Sequence, residues 1–377
     1  MKYKIMTVFG TRPEAIKMAP LVLKLKNDAR FETTTVVTAQ HREMLDQVLK
    51  IFKIKPDYDL DIMQPNQTLG QITSRVLLNL EKIIATEKPD LVLVHGDTTT
   101  SFAAGLASFY QQVPVGHVEA GLRTWQKYSP FPEELNRQMT DDLSELYFAP
   151  TSLSRQNLLK ENHPKDRIYI TGNTAIDALQ STVTKEYHHP VLEQITSDHR
   201  MILVTMHRRE NQGEPMRQVF QAMKAVVDQA DDVEMVYPVH LSPRVQAVAN
   251  DVLGNDPKIH LIKPLNVVDF HNLAQRSYFI MTDSGGVQEE APSLGKPVLV
   301  LRDTTERPEG VTAGTLRLVG TEQRTVTEAM LDLLNNPDHY QAMTNAKNPY
   351  GDGHASKRIL DAIWAYFGQG PRPADFK

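Results

Sequence analysis

Short apolar runs alternate with longer stretches whose apolar positions recur every three or four residues, from one end of the chain to the other. The short runs are rich in β-branched residues and read as buried strands; the longer ones read as amphipathic helices. In the first half the expected strands are 3–9, 33–38, 91–95, 113–118, 146–148 and 168–171. In the second half they are 201–205, 234–238, 259–262, 278–282, 298–301 and 316–319. Strands that are apolar throughout, each followed by a helix, make parallel sheets covered on both faces. All of these strands in one sheet would be improbably wide, so two sheets of about six strands are expected.

With 377 residues the chain also exceeds one ordinary core. The expected fold class is therefore α/β, with two Rossmann-like, doubly wound parallel-sheet domains. The seam falls between 171 and 201, where the rhythm loosens around Tyr187-His188-His189-Pro190 and Thr196-Ser197-Asp198-His199. This gives domains of about 1–172 and 173–354. A last helical pattern from 355 follows the Gly/Pro-rich 348–353 and could cap either domain.

Composition narrows the partners. Hydrophobic content of 41%, charged content of 23% and a formal net charge of -5 are those of a globular protein without a basic stripe, so nucleic acid is not expected. There is no cysteine, which excludes disulfides and thiolate metal sites. No apolar run approaches the roughly 20 residues of a membrane span, and the first residues form a strand pattern without a signal-peptide core. A cytoplasmic protein with no membrane partner is expected.

In parallel sheets, ligands bind beyond the C-terminal ends of the strands. Nearly every strand here delivers polar groups at that end: Gly10-Thr11-Arg12-Pro13-Glu14, Gln40-His41-Arg42, His95-Gly96-Asp97, His117-Val118-Glu119, His207-Arg208-Arg209-Glu210-Asn211, His240 and Arg302 to Arg307. The most informative stretch is Thr282-Asp283-Ser284-Gly285-Gly286-Val287-Gln288-Glu289-Glu290. Its strand runs into a helix through two glycines, so bare backbone N–H groups can face an anion. Carboxylates follow within reach of a sugar hydroxyl. A nucleotide or nucleotide sugar is the ligand class this implies, with Ser284, Gly285 and Gly286 on a diphosphate and Glu290 on the ribose. Glu289 reads as the solvated neighbour. Arg307 could close over the phosphates, and Arg12 and Lys17 offer a fork and a point charge for phosphate. Gly10 stands alone where a dinucleotide fingerprint needs three glycines, and no P-loop is present.

Asp97, Glu119 and Glu133 are the acid–base candidates. Asp97 taken alone reads as an ordinary N-cap. Glu119 shares a face with His117 at period two, and of Glu133 and Glu134 one is expected to be structural. His207 could donate to phosphate, act as an acid or ligate a metal. No HExxH-type spacing supports a metal among His95, His117, His207 and His240, and none is expected. Asp57, Asp59 and Asp61 alternate like a metal-binding DxD but follow a helical pattern, so a solvated edge is expected.

The segments 9–17, 95–100, 116–124, 207–211, 283–293, 302–309 and 348–353, in that order, resemble the non-hydrolysing UDP-N-acetylglucosamine 2-epimerases over nearly the whole chain. The resemblance implies the glycosyltransferase-B fold, two domains facing across a cleft, with the C-terminal helix of about 355–377 packing back on the first. It implies that Arg12, Lys17, His207, Ser284, Gly285, Gly286, Glu290 and Arg307 hold UDP, that Phe270 contacts the uracil region, and that Asp97, Glu119 and Glu133 are catalytic. His207 is carried as a catalytic candidate too. No cofactor is implied. The family's reaction interconverts UDP-N-acetylglucosamine and UDP-N-acetylmannosamine by eliminating UDP to 2-acetamidoglucal and adding it back. Its product supplies cell-surface polysaccharides, and its members suggest a homodimer. Many bacterial members bind a second UDP-N-acetylglucosamine as activator. Gln40, His41, Arg42, Glu134, Arg208 and His240 match that site, while Glu43 and Asn66 depart from it. A glycosyltransferase of the same fold, a hydrolysing relative and a UDP-sugar sensor are the competing readings.

Overall fold

A computed structural model describes residues 2–39, 42–254 and 256–377. The first sheet contains β1 (Tyr3–Phe9), β2 (Phe31–Val37), β3 (Tyr58–Asp59), β4 (Leu91–His95), β5 (Val115–Val118), β6 (Leu146–Ala149) and β7 (Ile168–Ile170). The second contains β8 (Arg200–Thr205), β9 (Val233–Pro238), β10 (Ile259–Ile262), β11 (Phe279–Thr282), β12 (Val298–Val300) and β13 (Leu316–Leu318). Every expected strand is present, and both sheets are parallel throughout.

The addition is β3, an edge pair on β2 whose two residues give too little alternation to register. Its aspartates have local work. Asp57 Oδ2 accepts the Thr35 amide at 2.7 Å, and Arg42 Nη1 lies 2.5 Å from Asp59 and 3.5 Å from Asp61. The three side chains keep 46%, 32% and 70% of their surface exposed, as a solvated edge would, but Asp59 lies in a strand, where a helical pattern was the expectation.

Strand order is β3-β2-β1-β4-β5-β6-β7 in one sheet and β10-β9-β8-β11-β12-β13 in the other. Each sheet thus reverses direction of winding once, between β1 and β4 and between β8 and β11, the switch points where α/β sheets open a crevice. Burial on both faces explains the unbroken apolar strands. Ile202 and Val204 enter one core cluster while Met201 and Leu203 enter another; Phe279 and Met281 part from Ile280 in the same way.

The chain forms two compact units, Met1–Ser181 with Tyr350–Lys377, and Thr182–Pro349. Residues 173–181 and 350–354 lie in the first unit, where the Asn173 amide donates to the Tyr350 carbonyl at 2.7 Å. The closing helix Ala355–Tyr366 packs on the helix Arg12–Lys26 of the same unit. Tyr3 stacks on Phe367 at 3.9 Å and meets Trp364 edge-on. The carboxylate of Asp177 accepts the helix's first amides, Ala355 at 3.0 Å and Ser356 at 2.8 Å, so a remote side chain caps it. Among the described residues, no helix is long and apolar enough to cross a membrane.

Because Asp177 is that helix's cap, Asp177→Ala is expected to lower stability by about 1–2 kcal/mol. Urea denaturation measures it. An unchanged midpoint would show that ring packing alone seats the helix.

Candidate functional site

At the switch point of the first sheet, the loops after β1 and β4 are bound together by one buried carboxylate. Thr11 caps the helix Arg12–Lys26 in a capping box with Glu14. Glu14 Oε2 accepts the amides of Gly10 and Thr11 at 3.0 and 2.7 Å, and Oε1 accepts the hydroxyls of Thr98 and Ser101 at 2.6 and 3.0 Å. A Cβ on Gly10 would stand 1.9 Å from Thr38 Oγ1, so only glycine fits this crossing.

Glu119 comes just after β5 with φ of 70°, a left-handed backbone rare outside glycine. That twist breaks the strand's alternation. Glu119 therefore does not share a face with His117, contrary to the period-two expectation. The turn is pinned on each side: the Glu119 amide donates to the Phe148 carbonyl at 3.1 Å, the Gly121 amide to Asp141 Oδ2 at 3.2 Å, and Asn157 Nδ2 to the Gly121 carbonyl at 3.0 Å. Lys17, one turn beyond Arg12, brings its ammonium to 2.5 Å from Glu119 Oε2. The side chain that the sequence assigns to phosphate is thus paired with a carboxylate.

His117 is fully buried and does not open to a ligand. Its Nε2 donates to the Gly96 carbonyl at 2.7 Å and its Nδ1 lies 2.6 Å from Asp141 Oδ1. Burial alone would push the Asp141 carboxyl up, but His117 and Arg123 together hold it below the ordinary range. This buried set fixes Gly96, the residue before Asp97. The helix cap there is Thr98, not Asp97: Thr98 Oγ1 accepts the Ser101 amide at 3.1 Å. Asp97 is left about a third exposed and held by Arg137 Nη2 at 2.5 Å, with Asn136 Nδ2 on its carbonyl at 3.0 Å.

Glu133 opens the helix Glu133–Asp142, half-buried, and its carboxylate makes no hydrogen bond or ion pair with any described residue. Its neighbour Glu134 is the structural one. It is wholly buried, accepts the Thr124 and Trp125 amides at 3.0 Å, and pairs with Arg137 at 3.4 Å.

At the second switch point the scaffold is again a buried acid. Asp283, fully buried, accepts the backbone amides of His207 and Arg208 at 3.0 and 2.8 Å and Asn211 Nδ2 at 3.0 Å. It holds the loop after β8 beside the turn Ser284–Gly286. His207 keeps nearly half its side chain exposed and stacks on His240, ring centroids 5.9 Å apart. Desolvation lowers its pKa first, the charges of His240 and Arg208 lower it further, and Asp283 opposes them.

Ser284 precedes the short helix Gly285–Glu290 without a side-chain cap bond. A Cβ on Gly285 would lie 3.9 Å from both Arg208 Nη2 and Arg307 Nη2, and one on Gly286 would meet nothing within 4 Å. Two guanidinium groups thus flank two open peptide N–H groups, an arrangement suited to a phosphate oxyanion. Glu289 is buried and bonded by Arg307 Nε, which overturns the expectation that it faces solvent. Glu290 is mostly buried and lies 3.3 Å from His271 Nε2, whose Nδ1 bonds Thr182 Oγ1 at 2.7 Å. Phe270 precedes that histidine, half-buried against the core.

Arg137 on Asp97, His271 on Glu290 and Asp283 on the His207 amide are functional neighbours that no motif in the sequence marks. Their partners are distant in sequence, so spacing gives no signal. Of the expected activator set, Gln40 and His41 lie outside the described residues. Arg42 is paired with Asp46, Asp59 and Asp61, and Glu134 is buried as above. Arg208 and His240 stand with His207 in the second unit, and Glu43 and Asn66 are exposed. Among the described residues there is no group of three or more side chains suited to a metal.

The profile of the family described as UDP-N-acetylglucosamine 2-epimerase matches residues 23–364. A Bacillus subtilis protein named UDP-N-acetylglucosamine 2-epimerase is 60% identical, covering 97% of this chain and 96% of its own. The solved Staphylococcus aureus MnaA–UDP co-structure is 53% identical with a TM-score of 0.92 over 100% of both chains. A Neisseria meningitidis UDP-GlcNAc 2-epimerase solved with UDP-GlcNAc is 49% identical, TM-score 0.87, over 96% of this chain and 100% of that one.

Beside the arginines, Glu306 is held down to about 2: burial would raise it, but the hydrogen bond from Arg302 and the charges of Arg208 and Arg302 outweigh that. A folded pKa below the ordinary 4.5 means stability that is present above pH 4.5 and lost as pH falls toward 2. The stability gap between wild type and Glu306→Gln should therefore be constant above about pH 5 and shrink on acidification, as read by urea midpoints. A gap independent of pH would contradict this.

Proposed function

The chain belongs to the UDP-N-acetylglucosamine 2-epimerase family, and on that premise we propose that it interconverts UDP-N-acetylglucosamine and UDP-N-acetylmannosamine without net hydrolysis. The observation that carries this is Glu119, buried on a left-handed backbone with Lys17 2.5 Å from its carboxylate. Such strain is retained where a group must be aimed.

Carbon 2 of the sugar has no neighbouring ring carbonyl to acidify its proton, so direct abstraction is slow. Breaking the bond between carbon 1 and the diphosphate removes that obstacle. UDP departs, the proton at carbon 2 goes to a carboxylate, and 2-acetamidoglucal remains. A proton returned to the other face, with UDP re-added, gives the epimer. Arg208, Arg307 and the N–H groups of Gly285 and Gly286 stabilise the leaving diphosphate. Glu290 holds the ribose, Phe270 packs by the uracil, and Arg12 and His207 serve the phosphates. Glu119, Asp97 and Glu133 carry the proton steps and steady positive charge at carbon 1. Their settings differ: an ammonium on the first, a guanidinium on the second, and no side-chain partner among the described residues on the third.

The product would supply N-acetylmannosamine units to cell-surface polysaccharides. The homodimer we infer has a candidate face on two packed helices, Leu69–Glu87 and Thr99–Tyr110, which expose Leu78, Phe109 and Tyr110. A second UDP-N-acetylglucosamine acting as activator is part of the same reading, and for Arg42 to take part it would first have to release its aspartates.

In heavy water the protein incubated with UDP-N-acetylglucosamine alone should form UDP-N-acetylmannosamine carrying deuterium at carbon 2. Glu119→Gln should slow this by about a hundredfold or more. Product without deuterium excludes the mechanism; sustained release of free UDP favours hydrolysis; no change without an acceptor favours a glycosyltransferase.

Gly285→Ala adds one methyl group whose nearest protein atoms, Arg208 Nη2 and Arg307 Nη2, lie 3.9 Å away. Its melting temperature should match wild type while UDP affinity, by calorimetry, falls at least about tenfold. Unchanged affinity would place the diphosphate elsewhere.

A further inference from the structure

His95 ends β4, and its register beside Val118 sets it next to the Glu119 turn. Its side chain is almost wholly buried, at 4% exposure, yet neither ring nitrogen makes an aligned hydrogen bond with any described residue. The nearest acceptor is Glu119: His95 Nε2 lies 3.0 Å from Oε2, the same oxygen that Lys17 approaches to 2.5 Å. At 3.0 Å the separation is that of a hydrogen bond and only the angle is wrong. A buried imidazole left in that condition costs stability, and an apolar side chain of similar shape would avoid the cost. Catalytic hydrogen bonds, by contrast, are often misaligned until substrate is bound.

We propose that His95 is a positioning residue for Glu119, donating from Nε2 to Oε2 when the sugar is in place. This rests on the epimerase reading. With Lys17 and His95 both on Oε2, two donors from two different strand-end loops fix the plane of the carboxylate. Glu119 then meets the proton at carbon 2 in one orientation instead of several. His95 never touches the reacting atoms. The neighbouring scaffold does not need its ring: the His95 carbonyl lies 2.5 Å from Ser101 Oγ, and the Gly96 amide donates to the Val118 carbonyl at 2.9 Å.

The experiment compares His95→Leu and His95→Gln with wild type, reading turnover, KM, deuterium uptake at carbon 2, UDP affinity and melting temperature. His95→Leu should melt at or above the wild-type temperature and bind UDP equally. Its kcat and deuterium uptake should fall about tenfold to hundredfold with KM little changed. His95→Gln, whose amide can donate from near the Nε2 position, should recover most of the loss. Wild-type turnover in His95→Leu would overturn the proposal, as would equal losses of melting temperature and turnover in both variants. Should His95→Leu not fold, His95→Gln is compared with His95→Asn, whose amide sits nearer the backbone: an active Gln and a slow Asn support the proposal, and equal rates overturn it. A wild-type protein that takes up no deuterium removes the epimerase reading itself, and the proposal with it.

Discussion

The contact between Lys17 and Glu119 is the one on which the chemistry proposed for the first unit depends. The lysine comes from the helix after β1 and the glutamate from the turn after β5, so the pair spans the switch point of the sheet. It exists because Glu119 adopts a left-handed backbone that the strand could not supply, with Phe148 and Asp141 holding the turn closed. An unpaired carboxylate this deep would be expensive. The ammonium makes the charge tolerable while leaving it beside the loops that face a ligand.

The same logic sorts the acids of the molecule into two kinds. Glu14, Asp141 and Asp283 are buried and committed to backbone amides, hydroxyls or buried cations, and they stitch strand-end loops to one another. Asp97, Glu133 and Glu290 retain some exposure and have one partner or none. The first kind builds the two switch points. The second kind, with Glu119 between them in character, is what remains for chemistry. Each unit therefore uses a buried aspartate or glutamate to position loops whose other polar groups stay available.

Much of this was legible in the sequence because parallel sheets leave so clear a pattern. Strands buried on both faces read as unbroken apolar runs, and all of those expected are found; β3 escaped because two edge residues show no period. The candidate loops were equally visible, since each follows an apolar run. Which acid in a loop works was not. Glu133 and Glu134 are adjacent, as are Glu289 and Glu290, and only tertiary contact shows that Glu134 and Glu289 are buried in internal pairs. Period two would put Glu119 on the face of His117, and a single left-handed residue after β5 breaks that alternation. Long-range partners such as His271 on Glu290 and Arg137 on Asp97 leave no local trace.

The central claim is that UDP leaves and returns, so that the bond between carbon 1 and the diphosphate is broken in every turnover. Positional isotope exchange measures this directly. UDP-N-acetylglucosamine labelled with heavy oxygen in the bridge between the sugar and the diphosphate is incubated with the protein, and phosphorus NMR follows the label. The account predicts that it scrambles into the non-bridging positions of the β-phosphate as epimerisation proceeds. Epimerisation with the label held in the bridge would contradict it.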